Sequence, residues 1–426
     1  MCQGRAARLN ISHIPDVYSG VSEMTHHSRP ADRYSPLYFL ASLGAGGLAV
    51  TFFMYLMFWV PHPDQPVPVF EDIMAAWAAG GLPIKAAIVA AVTGIAGFAI
   101  LNIKALVWNL RALGRFRQTD GFARLKTTNA ETQLLALPLA LAMTVNVGFI
   151  LGLVFVPGLW SAVEYMFPLA MVAFLAIGAL ALAQIGRFLG RILAEGGIFD
   201  VTAHNSFAQL LPAFALSMVA VGLAAPAAMS TTPATVGVSL ILSAAFGTVA
   251  ALYAIIAAAT AFNSMLHHGT ARESGPTLMI VVPILTVLGI MYLRQSHGLH
   301  VTFDMHTDAA ATMMTLTKIL AVQLAFGALG LLVMRRQGYA AAFLTGEGNS
   351  PGAYALVCPG VALSVLLHFW VNKGLVATGL IAKFSAGYWG LTALALAFQV
   401  AMIALVWHLN RRHFGQPRPG AAVPAE

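Results

Sequence analysis

The sequence predicts an all-α integral membrane protein with about ten transmembrane helices, arranged as five pseudo-repeated hairpins around a central axis. Three observations predict it: the composition, the placement of the basic residues and a repeated proline. Hydrophobic residues make up 59% of the 426 positions and charged residues only 9%, with mean hydropathy +0.78. A soluble domain carries roughly 25% charged residues. Apolar runs of about 20 residues, the length of helix that spans ~30 Å of hydrocarbon, recur along the chain. The alternation of a membrane β-barrel is absent.

The runs fall at 36–60, 83–110, 133–156, 159–186, 206–230, 233–263, 276–294, 310–335, 352–372 and 385–409. The first, SPLYFLASLGAGG, opens on Pro36 and carries Gly44, Gly46 and Gly47. A longer connection leads to the second, which contains Lys104. The third holds Pro138 and Asn146. Pro157-Gly158 marks a short turn into the fourth, which carries Pro168. The fifth holds Pro212 and Phe214, and Thr231-Thr232-Pro233 turns the chain into the sixth. The seventh holds Pro283 and precedes an expected outer loop, 295–308. Lys318 lies in the eighth, and the ninth opens around Cys358, Pro359 and Gly360.

Basic residues orient these spans. Seventeen lie in segments on one side, among them Arg111, Arg115, Arg117, Arg187, Arg191, Arg272, Arg335, Arg336, Arg411 and Arg412. Three lie on the other: Arg294, Lys373 and Lys383. Positive residues stay inside, so the expected arrangement is N-in and C-in, multi-pass, in the cell's inner (cytoplasmic) membrane. The domains read as a cytoplasmic polar tail (1–35), a transmembrane domain (36–410) and a C-terminal tail (411–426). The net charge of +7 follows from this topology, and no nucleic-acid partner is expected. Residues 1–35 contain four arginines and no continuous apolar core, unlike a secretory signal.

Prolines supply the repeat. LALPLALAM, QLLPAFALSM, IVVPILTVLG and LVCPGVALSV place Pro138, Pro212, Pro283 and Pro359 at separations of 74, 71 and 76 residues, all in odd-numbered spans. An internal proline removes a hydrogen bond and kinks a helix. In a membrane such a kink is tolerated where the backbone is buried in protein or lines a cavity. The odd spans are therefore expected to form an inner ring with hinges at these prolines, and the even spans an outer ring facing lipid.

Ten N-in, C-in spans in proline-bearing hairpins resemble the TehA and tellurite-resistance/dicarboxylate transporter superfamily, which includes the slow-type plant anion channels. The resemblance covers about residues 36–410. It implies a central pore lined by odd helices, a small anionic solute, and a homotrimer. Segment 352–374, GAYALVCPGVALSVLLHFWVNKG, is similar to the TsoY family, in which some members carry selenocysteine; Cys358 would hold that position. The chain departs from the channel pattern of a pore-closing phenylalanine: after Pro359 the next aromatic is Phe369, whereas Phe214 closely follows Pro212.

Candidate pore-lining or hinge residues are thus Pro138, Asn146, Pro212, Phe214, Pro283, Pro359, Gly360, Phe369 and Asn372. At about 100° per residue, Asn372 lies within about 40° of Cys358, and His368 does not share that face. Asn372 could equally serve as an interfacial cap, beside Trp370 and a snorkelling Lys373. Cys358 could be a thiolate favoured by a helix N-terminus, or a small packing residue. The deepest charges, Lys104 and Lys318, lie in even spans. The outer loop holds His297, His300, Asp304, His306 and Asp308 without a recognised ligand spacing, and His267-His268 lies inside. Cys2 and Cys358 occupy contexts too different for a disulfide. No phosphate loop or dinucleotide fingerprint is present, nor a haem attachment motif, so neither metal nor cofactor is expected.

Two functions remain open. One is a channel or secondary transporter for a small anion or weak acid. The other is a membrane redox protein acting through Cys358 on a sulfur- or selenium-linked substrate, with an external thiol partner. A membrane subunit serving a partner chain is a third, with no specific docking motif to support it.

Overall fold

A computed structural model describes residues 29–194, 206–306 and 308–415. Among the described residues there is no strand, and ten helices are long and apolar enough to cross a membrane. They are α1 (Pro36–Trp59), α2 (Leu82–Phe116), α3 (Asn129–Phe155), α4 (Leu159–Ala194), α5 (Phe207–Met229), α6 (Pro233–His268), α7 (Arg272–Phe303), α8 (Ala309–Arg336), α9 (Pro351–Val376) and α10 (Ala386–Phe414). Short helices Phe70–Ala79 and Asp120–Lys126 sit in the connections. The turns expected after α3 and α5 are short: Gly158 takes φ 70°, which favours glycine. Its N–H donates to Glu71 (2.7 Å).

Each odd helix packs on its even partner, forming five hairpins. The odd helices also close a ring: α1 on α3, α3 on α5, α5 on α7, α7 on α9, and α9 back on α1. Burial separates the two sets. In the most apolar stretch of each helix, 56–94% of residues are buried in the odd spans and 22–39% in the even ones. The even helices turn Ile241, Leu252, Ile255, Leu331, Val400 and Trp407 outward.

Lipid supplies no hydrophobic drive between helices, so packing rests on small residues and hydrogen bonds. In the first hairpin, Asn102 Nδ2 donates to the Ser42 carbonyl (2.8 Å) and Oγ (3.0 Å), and Ser42 Oγ donates to the Asn102 carbonyl (3.0 Å). Gly46 lets α3 approach here; a Cβ would collide with Met143. Between α4 and α5, the Phe174 ring occupies the space that a side chain at Gly222 would need.

The prolines do not act as mid-helix hinges. Every odd helix opens with a 3-10 turn: Pro36–Tyr38, Asn129–Leu135, Phe207–Leu210, Arg272–Met279 and Pro351–Leu356. Pro138, Pro212, Pro283 and Pro359 fall within the first three residues of the α-helical part that follows. A missing N–H costs least in a first turn. Four of these starts are capped: Ser35, Thr128, Ser206 and Ser350 each accept the backbone N–H two residues on (3.2–3.3 Å), relieving orphan donors. Ser/Thr cap, 3-10 turn and following proline occur together in α3, α5 and α9, and α7 lacks the side-chain cap.

Three expected boundaries change. α7 continues to Phe303, so most of the expected outer loop 295–308 is helix. α10 continues to Phe414, taking 411–414 from the expected C-terminal tail. The chain is already ordered at Arg29, whose guanidinium pairs with Asp32 (2.9 Å) and holds that carboxyl below its usual range. Hydropathy marks where apolar residues stop, whereas a helix stops where its hydrogen bonds do. The expected tail residues 1–28, with Cys2, and 416–426 lie outside the described residues.

At the end where the odd helices start, aromatic side chains pack α1 and α9 against α2 and α10. The Tyr38 hydroxyl hydrogen-bonds His413 Nδ1 (2.9 Å), and the Tyr354 hydroxyl donates to Asn410 (2.8 Å). Tyr34, Trp108 and Phe414 pack against Tyr38. We call this the proline end, and the opposite end the mouth.

Candidate functional site: a central cavity with an unpaired arginine

The five odd helices enclose a cavity of about 700 Å³, within the ~300–1,000 Å³ typical of ligand sites. Its innermost lining residue on each helix is Leu43, Met143, Phe214, Pro283 or Cys358. These form the floor of the cavity. The lining then rises through Val50, Asn146, Phe149, Met218, Val287 and Val365 to the mouth, where His62 and Gln65 from the α1–α2 connection join His297, His300 and Lys373.

Charge is confined to the upper part. Arg294, His297, His300 and Lys373 line it, and no Asp or Glu does among the described residues. Arg294 Nη1 donates to the Val221 carbonyl on α5 (2.7 Å). The ion pairs among the described residues are Arg29–Asp32 and Arg191–Glu131, so no carboxylate neutralises Arg294. An arginine at membrane depth costs roughly 2.5–3.5 kcal/mol on insertion scales, and one backbone carbonyl leaves most of its five donors free for another acceptor. Neighbours hold it in place. Gln295 donates to Ser243 of α6 (2.8 Å), and Gly298 packs directly on the Ala227 carbonyl. Just outside the spans, the Lys383 ammonium is held below its usual range, first by burial and then by the Lys373 charge.

The depth is apolar, and its few polar groups are already used. Asn146 donates to the Ala142 carbonyl (3.2 Å). Thr286 donates to the Ala362 carbonyl (3.1 Å) and accepts from Gln323 (2.7 Å). Thioethers of Met54, Met57, Met143, Met218 and Met229 complete a soft wall.

Five of the sequence-derived candidates meet here: Asn146, Phe214, Pro283, Phe369 and Cys358. Pro138, Pro212, Pro359, Gly360 and Asn372 do not line the cavity. Gly360 faces outward, against Met402 of α10. Asn372 is displaced by a change of helix type. Trp370–Val376 is a π-helix, whose i→i+5 turn advances roughly 80° per residue instead of about 100°. Accumulated from Phe369, this swings Asn372 off the Cys358 face and brings Lys373 onto it. Asn372 instead accepts from the Tyr388 hydroxyl (3.2 Å) and donates to the His368 carbonyl (2.8 Å).

His368 is buried beside Tyr55, Phe58 and Trp59, away from the cavity lining, and neither ring nitrogen has a protein partner. Lys104 and Lys318 are exposed on the outer face. No group of three His, Cys, Asp or Glu is placed to hold a metal among the described residues. Asp308 caps α8 by accepting the Ala310 N–H (3.0 Å).

Cys358 is buried and free. It lies fifteen positions before Lys373 on α9, roughly 20 Å along the axis, so the cations at the mouth do not adjoin its sulfur. Its helix is not broken at Pro359: 3-10 turn and α-helix run on without interruption.

Arg294 is the residue that sequence reasoning missed. It stands at the end of an apolar run and reads as a topology marker for an outer loop. The available signal was that residues 295–303 contain neither proline nor a run of turn formers, so the helix could continue and turn Arg294 inward.

In comparison with known proteins, the sequence matches no family model and no curated protein.

Proposed function

We propose that this multi-pass membrane protein is a channel or secondary transporter for a small anion or weak acid, which binds in the central cavity at Arg294. The observation that carries this reading is a guanidinium with no carboxylate partner in a cavity lined by all five inner helices. An anion about 4 Å from it gains about 4 kcal/mol of Coulomb energy at an effective dielectric near 20, offsetting the cost of leaving water. Lys373 at the mouth raises the local anion concentration. The cavity ends at the floor of Phe214 and Cys358, so in this reading passage requires that end to open.

The test is flux. Purified full-length protein in liposomes is assayed with a panel of inorganic anions and carboxylates, beside Arg294→Gln. Flux above protein-free liposomes that falls at least tenfold in the variant is the expected result. No flux for any member of the panel would reject the transport reading.

A further inference from the structure

The cavity separates its chemistry along its length, and this bears on what it holds. Both cationic side chains of the lining, Arg294 and Lys373, are at or near the mouth. Below Arg294 the wall is Phe214, Met218, Val287, Val361 and Cys358, and the two polar side chains there bond within the protein. An inorganic anion moving into this depth would lose its hydration without gaining donors. It would also fill little of the space, since a water-sized particle occupies about 30 Å³. From Arg294 to Pro283 the lining descends eleven positions of α7, about 16 Å, with no charge along it.

We propose that the cavity takes an amphipathic organic monoanion, a carboxylate with an extended apolar tail. The head group sits on Arg294 and the tail lies inward along the methionine- and valine-lined wall toward Phe214 and Cys358. This rests on the transport reading for its site and deepens it by naming the substrate class. A guanidinium binds a carboxylate through two parallel N–H···O bonds, and the Val221 carbonyl engages Nη1 from the side. Apolar burial then supplies affinity in proportion to tail length.

The experiment measures binding without transport. Full-length protein in nanodiscs is titrated with acetate, butyrate, hexanoate and octanoate, with chloride, and with octanol as the uncharged control. One readout is the thermal unfolding midpoint. The second is protection of Cys358 from a small neutral thiol reagent. Affinity should rise about three- to fourfold per added methylene, and octanoate should outrank octanol at least tenfold. Arg294→Gln should remove the preference for octanoate over octanol, and Arg294→Lys should retain part of it. Octanoate should protect Cys358, and acetate should not.

Equal affinity for chloride, acetate and octanoate would overturn the proposal, as would identical midpoint shifts in wild type and Arg294→Gln. If Cys358 does not react at all, the midpoint series decides alone. The two readings fail separately. Inorganic-anion flux without chain-length dependence sinks this inference and leaves transport standing; chain-length-dependent binding without flux does the reverse.

Discussion

The two ends of the inner ring are built from the same repeated helices and have opposite character. At the proline end, Tyr38 of α1 and Tyr354 of α9 pack against Trp108 of α2 and His413 and Phe414 of α10. The Tyr38–His413 and Tyr354–Asn410 bonds match four polar atoms within the protein there, while His413 Nε2 has no protein partner. Toward the mouth the odd helices line a cavity, and its Arg294 and Lys373 lack carboxylate partners. The difference teaches where to look for function in a chain so poor in charge. A matched polar group stabilises a closed end, whereas an unmatched one leaves interaction energy for a ligand.

The comparison can be broken most directly at Arg294. Arg294→Gln should lower anion flux at least tenfold while leaving the protein folded, as judged by its elution as a single species from detergent. Displacing the arginine indirectly should cost somewhat less. Gly298→Val drives a side chain into the Ala227 carbonyl, and overpacking of this kind typically costs about 1–3 kcal/mol. A lower unfolding midpoint together with weakened anion binding is expected. An unchanged midpoint would show that α7 is free to shift there.

Charge at the mouth should also be visible from the floor. A negatively charged thiosulfonate should modify Cys358 several-fold faster than a positively charged one of equal size, and the ratio should collapse in Arg294→Gln. Equal rates for both reagents would mean that Cys358 is not reached through the mouth. At the closed end, Tyr38→Phe removes only the bond to His413. The expected loss is about 0.5–1.5 kcal/mol of stability, with flux nearly unchanged. The smallest effect belongs to Lys383. Its ammonium loses its proton below the usual lysine range, and only the protonated form attracts anions. Anion affinity should therefore decline modestly as pH rises through that titration, and Lys383→Met should flatten the decline.

Much of the ring was legible because its causes are local. Pro138, Pro212, Pro283 and Pro359 recur at nearly constant spacing, and each marks the start of an inner helix. The capping residues Ser35, Thr128, Ser206 and Ser350 were legible in principle, as each opens its odd helix. Phe214 and Asn146 follow their prolines in ordinary α-helical phase and reach the cavity lining, as does Cys358, one residue before Pro359.

Composition and periodicity alone determined the helical class, the number of spans and the alternation of inner and outer helices, since these depend on runs of about 20 residues and on a repeat in one dimension. Tertiary structure alone decided which polar groups find partners. Nothing in the order of residues says that a π turn exchanges Asn372 for Lys373, or that Arg294 meets a backbone carbonyl and no carboxylate. Each is settled by the approach of helices distant in sequence, where a shift in phase of one residue turns a side chain from lipid or protein into the cavity.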